Sequence, residues 1–86
     1  MNHFTSPSFW NKYEKLPKQI RELADKNFEL LKRNSMHPSL HLKKAGNYWS
    51  VRAAKKHRAL AVEMDEGFLW FWIGAHDEYM RILKDF

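Results

Sequence analysis

The chain is 86 residues long and has no cysteine, so it has room for one small domain but not for a deep substrate cavity, and no disulfide or thiolate zinc site reinforces it. Hydrophobic residues make up 44% of it and include 4 Trp, 6 Phe and 3 Tyr, which excludes disorder, while no apolar run approaches the ~20 residues that span a bilayer. The formal net charge is +5, and eight of the 15 basic residues but none of the 10 acidic ones fall between Leu30 and Val62, an asymmetry that fits a polyanionic partner or, more plainly, a solvated lysine-rich face.

The N-terminal Met1-Asn2-His3-Phe4-Thr5-Ser6-Pro7 lacks the apolar core of a signal peptide, so the chain is expected in the cytosol, unprocessed. Ser6 before Pro7 is a helix-start signal, and a first helix is expected over about Pro7 to Lys15 with Phe9, Tyr13 and Leu16 on one face. Pro17 opens a second helix in which Leu16, Ile20, Leu23, Ala24, Asn27, Phe28 and Leu31 keep the 3.6-residue period, with Lys18, Arg21, Glu22, Asp25 and Lys26 outward. It should stop near Asn34, because Pro38 disfavours helix at His37.

Extended segments follow. Leu40 to Lys44, a Gly46-Asn47 turn and Tyr48 to Ala54 read as a hairpin, with Trp49, Val51 and Ala53 on one face. Lys55-Lys56 is the next turn, then His57 to Met64 with Arg58, Leu60, Val62 and Met64 on a common face, then Phe68 to Ile73. Alternation places Trp70 and Trp72 on the face opposite Leu69, Phe71 and Ile73. A short closing helix covers His76 to Lys84, with Tyr79, Ile82 and Leu83 inward. The expected fold is α+β over residues 1–86: two N-terminal helices packed on a roughly four-stranded antiparallel sheet, plus a short C-terminal helix.

Trp70 to Tyr79 is the most informative stretch, since an apolar strand runs into a glycine, a histidine and a tyrosine and so delivers polar side chains to the rim of a rigid sheet. His37 and His41 are spaced i, i+4, but Pro38 prevents a regular helix between them and no Cys, Asp or Glu completes a metal site; no metal or cofactor is expected. Trp49, Trp70 and Trp72 are core residues or a stacking surface for bases.

Leu16-Pro17, Ala24 to Leu31, His37-Pro38-Ser39-Leu40, Tyr48-Trp49-Ser50-Val51-Arg52, His57-Arg58-Ala59-Leu60 and Trp72 to Tyr79, taken in order and spacing, resemble the RelE/ParE superfamily of bacterial toxins from toxin–antitoxin pairs over nearly the whole chain. The resemblance implies a small α+β fold and one of two activities: cleavage of messenger RNA in the ribosomal decoding site, as in RelE-like members, or poisoning of DNA gyrase, as in ParE-like members. It also implies an acidic antitoxin, partly disordered alone, that folds over the basic groove.

Metal-free RNA cleavage uses the substrate's 2′-hydroxyl as nucleophile, so the protein must move protons and stabilise a phosphorane with cations. Arg58 matches the arginine of the family's Tyr/His-Arg strand and is suited to a bidentate phosphate contact; the plainer reading is a surface salt bridge to Glu63 or Glu66. Arg52 matches the family's basic strand position as a second phosphate ligand. His76 stands where many RelE-like toxins carry arginine and resembles the histidine-containing members; histidine exchanges protons near neutrality, and the plainer reading is a helix-capping role. Tyr79 matches the family's C-terminal tyrosine, for stacking or proton transfer, or is a core residue. Asp77 orients His76 or favours the helix start. Lys43, Lys44, Lys55, Lys56 and Arg81 are expected to attract RNA. The reading is a ribosome-dependent endoribonuclease toxin, with Arg52, Arg58, His76 and Tyr79 as its catalytic set. The alternatives are a gyrase inhibitor without an active site and an inactive relic that binds only its antitoxin.

Overall fold

The computed structural model describes residues 2–84. They form β1 (Asn2–Thr5), α1 (Pro7–Tyr13), α2 (Lys18–Arg33), a 3-10 turn (Pro38–Leu40), β2 (Lys43–Ala45), β3 (Tyr48–Ala54), β4 (His57–Met64), β5 (Gly67–Ala75) and α3 (His76–Lys84). The sheet order is β1-β5-β4-β3-β2, antiparallel except for β1, which runs parallel to β5. The α+β class is as expected from the sequence, but the sheet is mixed and has five strands. Among the described residues no helix is long and apolar enough to cross a membrane.

Local signals account for both N-terminal helices. The Ser6 side chain accepts the Phe9 N–H at 3.3 Å, and Pro7 occupies the first turn, where its missing N–H costs nothing. The helix α1 stops at Tyr13, two residues short of Lys15, in a turn closed by Leu16 N–H donating to Tyr13 O at 3.0 Å. Tyr13 also joins the helices: its hydroxyl donates to Asp25 Oδ1 at 2.6 Å, and burial together with that carboxylate pushes the phenol up to about 12. On the inner face of α2, Ala24 and Leu31 are buried and Asn27 Nδ2 donates to Ala53 O at 2.7 Å. The β3–β4 register skips Ala53, so this polar side chain satisfies a carbonyl at a bulge.

Leu40 reaches the core by a different route from the one expected. It is fully buried at the end of the 3-10 turn, and His41 then adopts a left-handed φ of 51°, so β2 begins only at Lys43. Pro38 caps the choice, since its fixed φ suits a tight turn better than the middle of a ladder.

A second bulge corrects the expected placement of the tryptophans. Leu60 pairs with Trp72 and Ala61 with Trp70, which makes Phe71 an extra residue on β5. Trp70, 1% exposed, therefore lies with Ile73, Val51, Phe68, Ala59 and Ala61 under α1 and α2. Trp72 lies on the opposite side with Leu60 and Tyr79, flanked by Tyr48, Phe71, Ile82 and Leu83. Strict alternation fails here because the bulge resets the face after Trp70.

β1 docks through its side chains as well as its ladder. Trp70 Nε1 donates to His3 Nδ1 at 3.0 Å, Trp10 Nε1 donates to Thr5 Oγ1 at 3.0 Å, and Ser6 N–H donates to Trp70 O at 3.0 Å. Gly67, at φ +148°, makes the parallel approach possible: a Cβ there would sit 2.1 Å from Asn2 O. Burial lowers the His3 pKa, helped by the positive charges of the amino terminus and Lys32. The neutral imidazole is thus the folded form, so its stabilising contribution is complete above ~6.5 and is lost as pH falls through the depressed folded-state value. Protonation at Nδ1 strands the buried Trp70 donor, a cost of about 1–3 kcal/mol. The expected result is a urea midpoint that falls between pH 7 and pH 5 more steeply in the wild type than in His3→Gln, which keeps an acceptor and does not titrate.

Candidate active site

The β3–β4 turn and the β5–α3 junction meet at one end of the sheet. The His76 backbone N–H donates to Lys56 O at 2.8 Å, pinning the first residue of α3 to the turn. In the row of partners next to the turn, Arg52 pairs with Arg58 and Arg58 with Gly74. Arg58 precedes Leu60 by two residues, so both arginines lie on the face that α3 partly covers. Gly74 lets the Trp72 ring lie across this row, since a Cβ would come within 2.6 Å of the indole.

Two guanidiniums therefore stand opposite each other on adjacent strands, an arrangement that like-charge repulsion disfavours. Burial lowers the Arg58 pKa, the Arg52 charge lowers it further, and Tyr79 acts in the opposite sense. Among the described residues no carboxylate pairs with either arginine. Glu63, the partner the plainer reading offered, accepts instead from Trp49 Nε1 at 2.8 Å, and an ion pair among the described residues joins Lys32 to Glu29. Arg58 Nη1 is held by backbone carbonyls: Ala54 O at 3.1 Å, His57 O at 2.9 Å and Lys55 O at 3.4 Å. These contacts use one of its three nitrogens, and they make Arg58 the residue that ties the turn together as well as a cation aimed by it.

An open concavity at this junction is lined by Lys55, Lys56, His57, Ala75, His76 and Asp77. His76 is half-buried, with its ring 5.5 Å from that of Tyr79 between centroids. Tyr79 is 4% exposed and packs against Leu60 and Trp72, so its ring is part of the core beneath the site. The structure thus gathers Arg52, Arg58, His76 and Tyr79 at one end of the sheet, with Lys55 and Lys56 exposed on the rim. Lys43 and Lys44 lie apart on the edge strand β2. Lys43 pairs with Ser50 and Lys44 with Trp49, so the two point to opposite faces. Arg81 is exposed on α3, away from the residues that line the concavity.

His57 is the residue that sequence reasoning left out. It lines the concavity, its Nδ1 is buried without a hydrogen-bond partner among the described residues, and burial followed by the Arg58 charge lowers its pKa. The signal that was available is its position directly after the Lys55-Lys56 turn and before Arg58. A separate gap of about 40 Å³ under α1 and α2 is lined chiefly by apolar side chains such as Phe9, Phe28 and Trp70, with Asp25, Asn27 and Arg52 among its lining residues.

No protein-family model and no curated protein matches the chain. Solved structures do. The RelB-RelE antitoxin–toxin complex from Methanococcus jannaschii matches with a TM-score of 0.72 and 16% identity, over 92% of this chain and 96% of that one. The YoeB/ParE toxin from Agrobacterium tumefaciens gives 0.63 and 20% over 88% and 99%, and the isolated RelE toxin of E. coli gives 0.62 and 13% over 96% and 95%. The chain has the RelE/ParE toxin fold, as the resemblance implied.

The arginine pair separates two effects on stability. Arg52→Gln relieves the repulsion and is expected to leave the unfolding free energy unchanged or raise it by up to about 1 kcal/mol. Arg58→Gln strips the turn of a charged donor and is expected to cost about 1–3 kcal/mol. Equilibrium unfolding of the two variants checks the contrast.

Proposed function

Starting from the RelE/ParE fold, we propose that the protein is the toxin of a type II toxin–antitoxin pair, a cytoplasmic endoribonuclease that cleaves messenger RNA on the ribosome. The observation that carries this reading is the facing pair Arg52 and Arg58, without a carboxylate partner among the described residues, beside an imidazole and two lysines at the mouth of a concavity. A fold that keeps two apposed cations uncompensated gains from an anion placed between them, and the phosphodiester in its transition state carries more negative charge than in its ground state. The arginines supply that stabilisation, His76 exchanges a proton with the reacting oxygens, and Tyr79 supports the His76 ring from the core. Lys55 and Lys56 draw in the RNA backbone. The reaction is attack of the 2′-hydroxyl on the adjacent phosphorus with departure of the 5′-oxygen, leaving a 2′,3′-cyclic phosphate, and it needs no metal.

The partner is an acidic antitoxin, whose charge complements the basic stretch from Lys43 to Arg58. The antitoxin–toxin complex among the similar structures supports a partner of this kind.

Induction in growing bacteria, with messenger 5′ ends mapped across translated frames, tests the proposal. New in-frame cuts are expected, falling by about 10²–10⁴ in His76→Ala and in Arg52→Ala. Growth arrest without cuts but with DNA-damage signalling would establish the gyrase alternative, and neither arrest nor cuts would leave an antitoxin-binding relic.

A further inference from the structure

The two edges of the sheet differ. β2 ends it on one side with Lys43 and Lys44, both exposed, and charge of this kind keeps a second strand from adding there. β1 ends it on the other side as Asn2-His3-Phe4-Thr5, which contains no Lys, Arg, Asp, Glu or Pro. Among the described residues no strand lies beyond it. Ser6 N–H donates to Trp70 O, and backbone groups alternate sides along a strand. Those of Phe4 therefore turn to β5 like those of Ser6, and the N–H and C=O of His3 and Thr5 turn outward.

Apolar surface flanks this edge on both faces. Phe4 and Trp10, each 42% exposed, are the exposed large aromatic side chains among the described residues. The Trp10 indole is tied to Thr5 Oγ1 and stands on the helix side, as does the His3 ring against Trp70. Phe4, between His3 and Thr5, points to the opposite side and belongs to neither core cluster. Antiparallel pairing with an identical strand has one register that keeps every outward group within β1. It sets His3 opposite the second copy's Thr5 and Thr5 opposite its His3, each pair exchanging two hydrogen bonds. A two-fold axis then passes at Phe4, which faces its own copy in a non-hydrogen-bonded pair, the closer kind, where the two exposed rings cover each other. A shift that puts Thr5 opposite Thr5 would bring His3 opposite Pro7, which has no N–H to give.

We propose that β1 is a self-association surface whose partner is a second copy of this chain, the two β1 strands pairing antiparallel about a two-fold axis at Phe4 and joining two five-stranded sheets into one. The contact is isologous and closes on itself, so it makes a dimer rather than a fibre. β5 separates β1 from β4, and β3 lies farther still, so the pairing uses none of the candidate-site residues. A four-residue edge buries little area, so the dimer is weak and forms with rising concentration.

Sedimentation velocity of the purified full chain, from low micromolar to the highest soluble concentration, tests the proposal together with cysteine cross-linking. The wild-type mass is expected to move from monomer toward dimer. Phe4→Lys sets like charges opposite each other at the axis and should raise the dissociation constant at least about tenfold. Phe4 lies outside the core, so this variant is expected to fold, with circular dichroism as the check. The chain has no cysteine of its own, and the Cα atoms of a non-hydrogen-bonded pair, about 4.5 Å apart, are within disulfide reach. Phe4→Cys should therefore give a covalent dimer on mild oxidation at least about tenfold faster than Met36→Cys, which alters a side chain that is 77% exposed and away from β1. A wild type that stays monomeric at every concentration, a dimer that Phe4→Lys leaves intact, or Met36→Cys cross-linking as readily as Phe4→Cys would each overturn the assignment.

Discussion

One inserted residue organises the molecule. Phe71 is the extra position in β5, and because of it the two tryptophans that flank it in sequence serve opposite sides of the sheet. Trp70 fills the space under α1 and α2, where Ala24, Ala53, Ala59 and Ala61 leave room for a large ring. Trp72 turns to the other face and, with Leu60, makes the surface on which Tyr79 seats α3. Without the bulge both indoles would compete for one face, and the other would lack the apolar area that holds a short helix in place.

The candidate site depends on that second face. α3 is only nine residues long, marginal as an isolated helix, and its position comes from packing of Tyr79, Ile82 and Leu83. Seating it there brings His76 to the β3–β4 turn and leaves the neighbouring row to Arg52, Arg58 and Gly74. Gly74 matters because the Trp72 ring takes the space a side chain would occupy. Apolar packing thus sets the position of the polar groups, while the site itself retains what packing would normally eliminate: apposed cations and an unsatisfied imidazole nitrogen.

Much of this was legible in the residues. The Ser6-Pro7 and Pro17 signals located both N-terminal helices, alternation located β3 and β4, and the change of chemistry at Gly74-Ala75-His76 pointed to the end of the sheet where Arg52, Arg58 and His76 come together. What escaped had physical reasons. Asn2–Thr5 has a single large apolar residue, and its pairing depends on contacts with β5 far along the chain, so local pattern cannot reveal it. Leu40 reads as strand because it is apolar beside Leu42, yet the proline before it forms a turn. A bulge leaves no mark in a run as uniformly apolar as Leu69 to Ile73, since either face accepts every residue in it. His57 was overlooked because burial of one ring nitrogen is a property of the assembled site.

The pairing of β1 with β5 joins segments far apart in the chain. His3 accepts a hydrogen bond whose donor lies 67 positions later, on Trp70. Until β5 has been made, β1 has no neighbour, β4 lacks one of its two, and α3 does not exist. The surface proposed to be toxic therefore forms only once β5 and α3 have joined the strands that precede them. A partner that recognises it needs elements separated along the chain to be in place together.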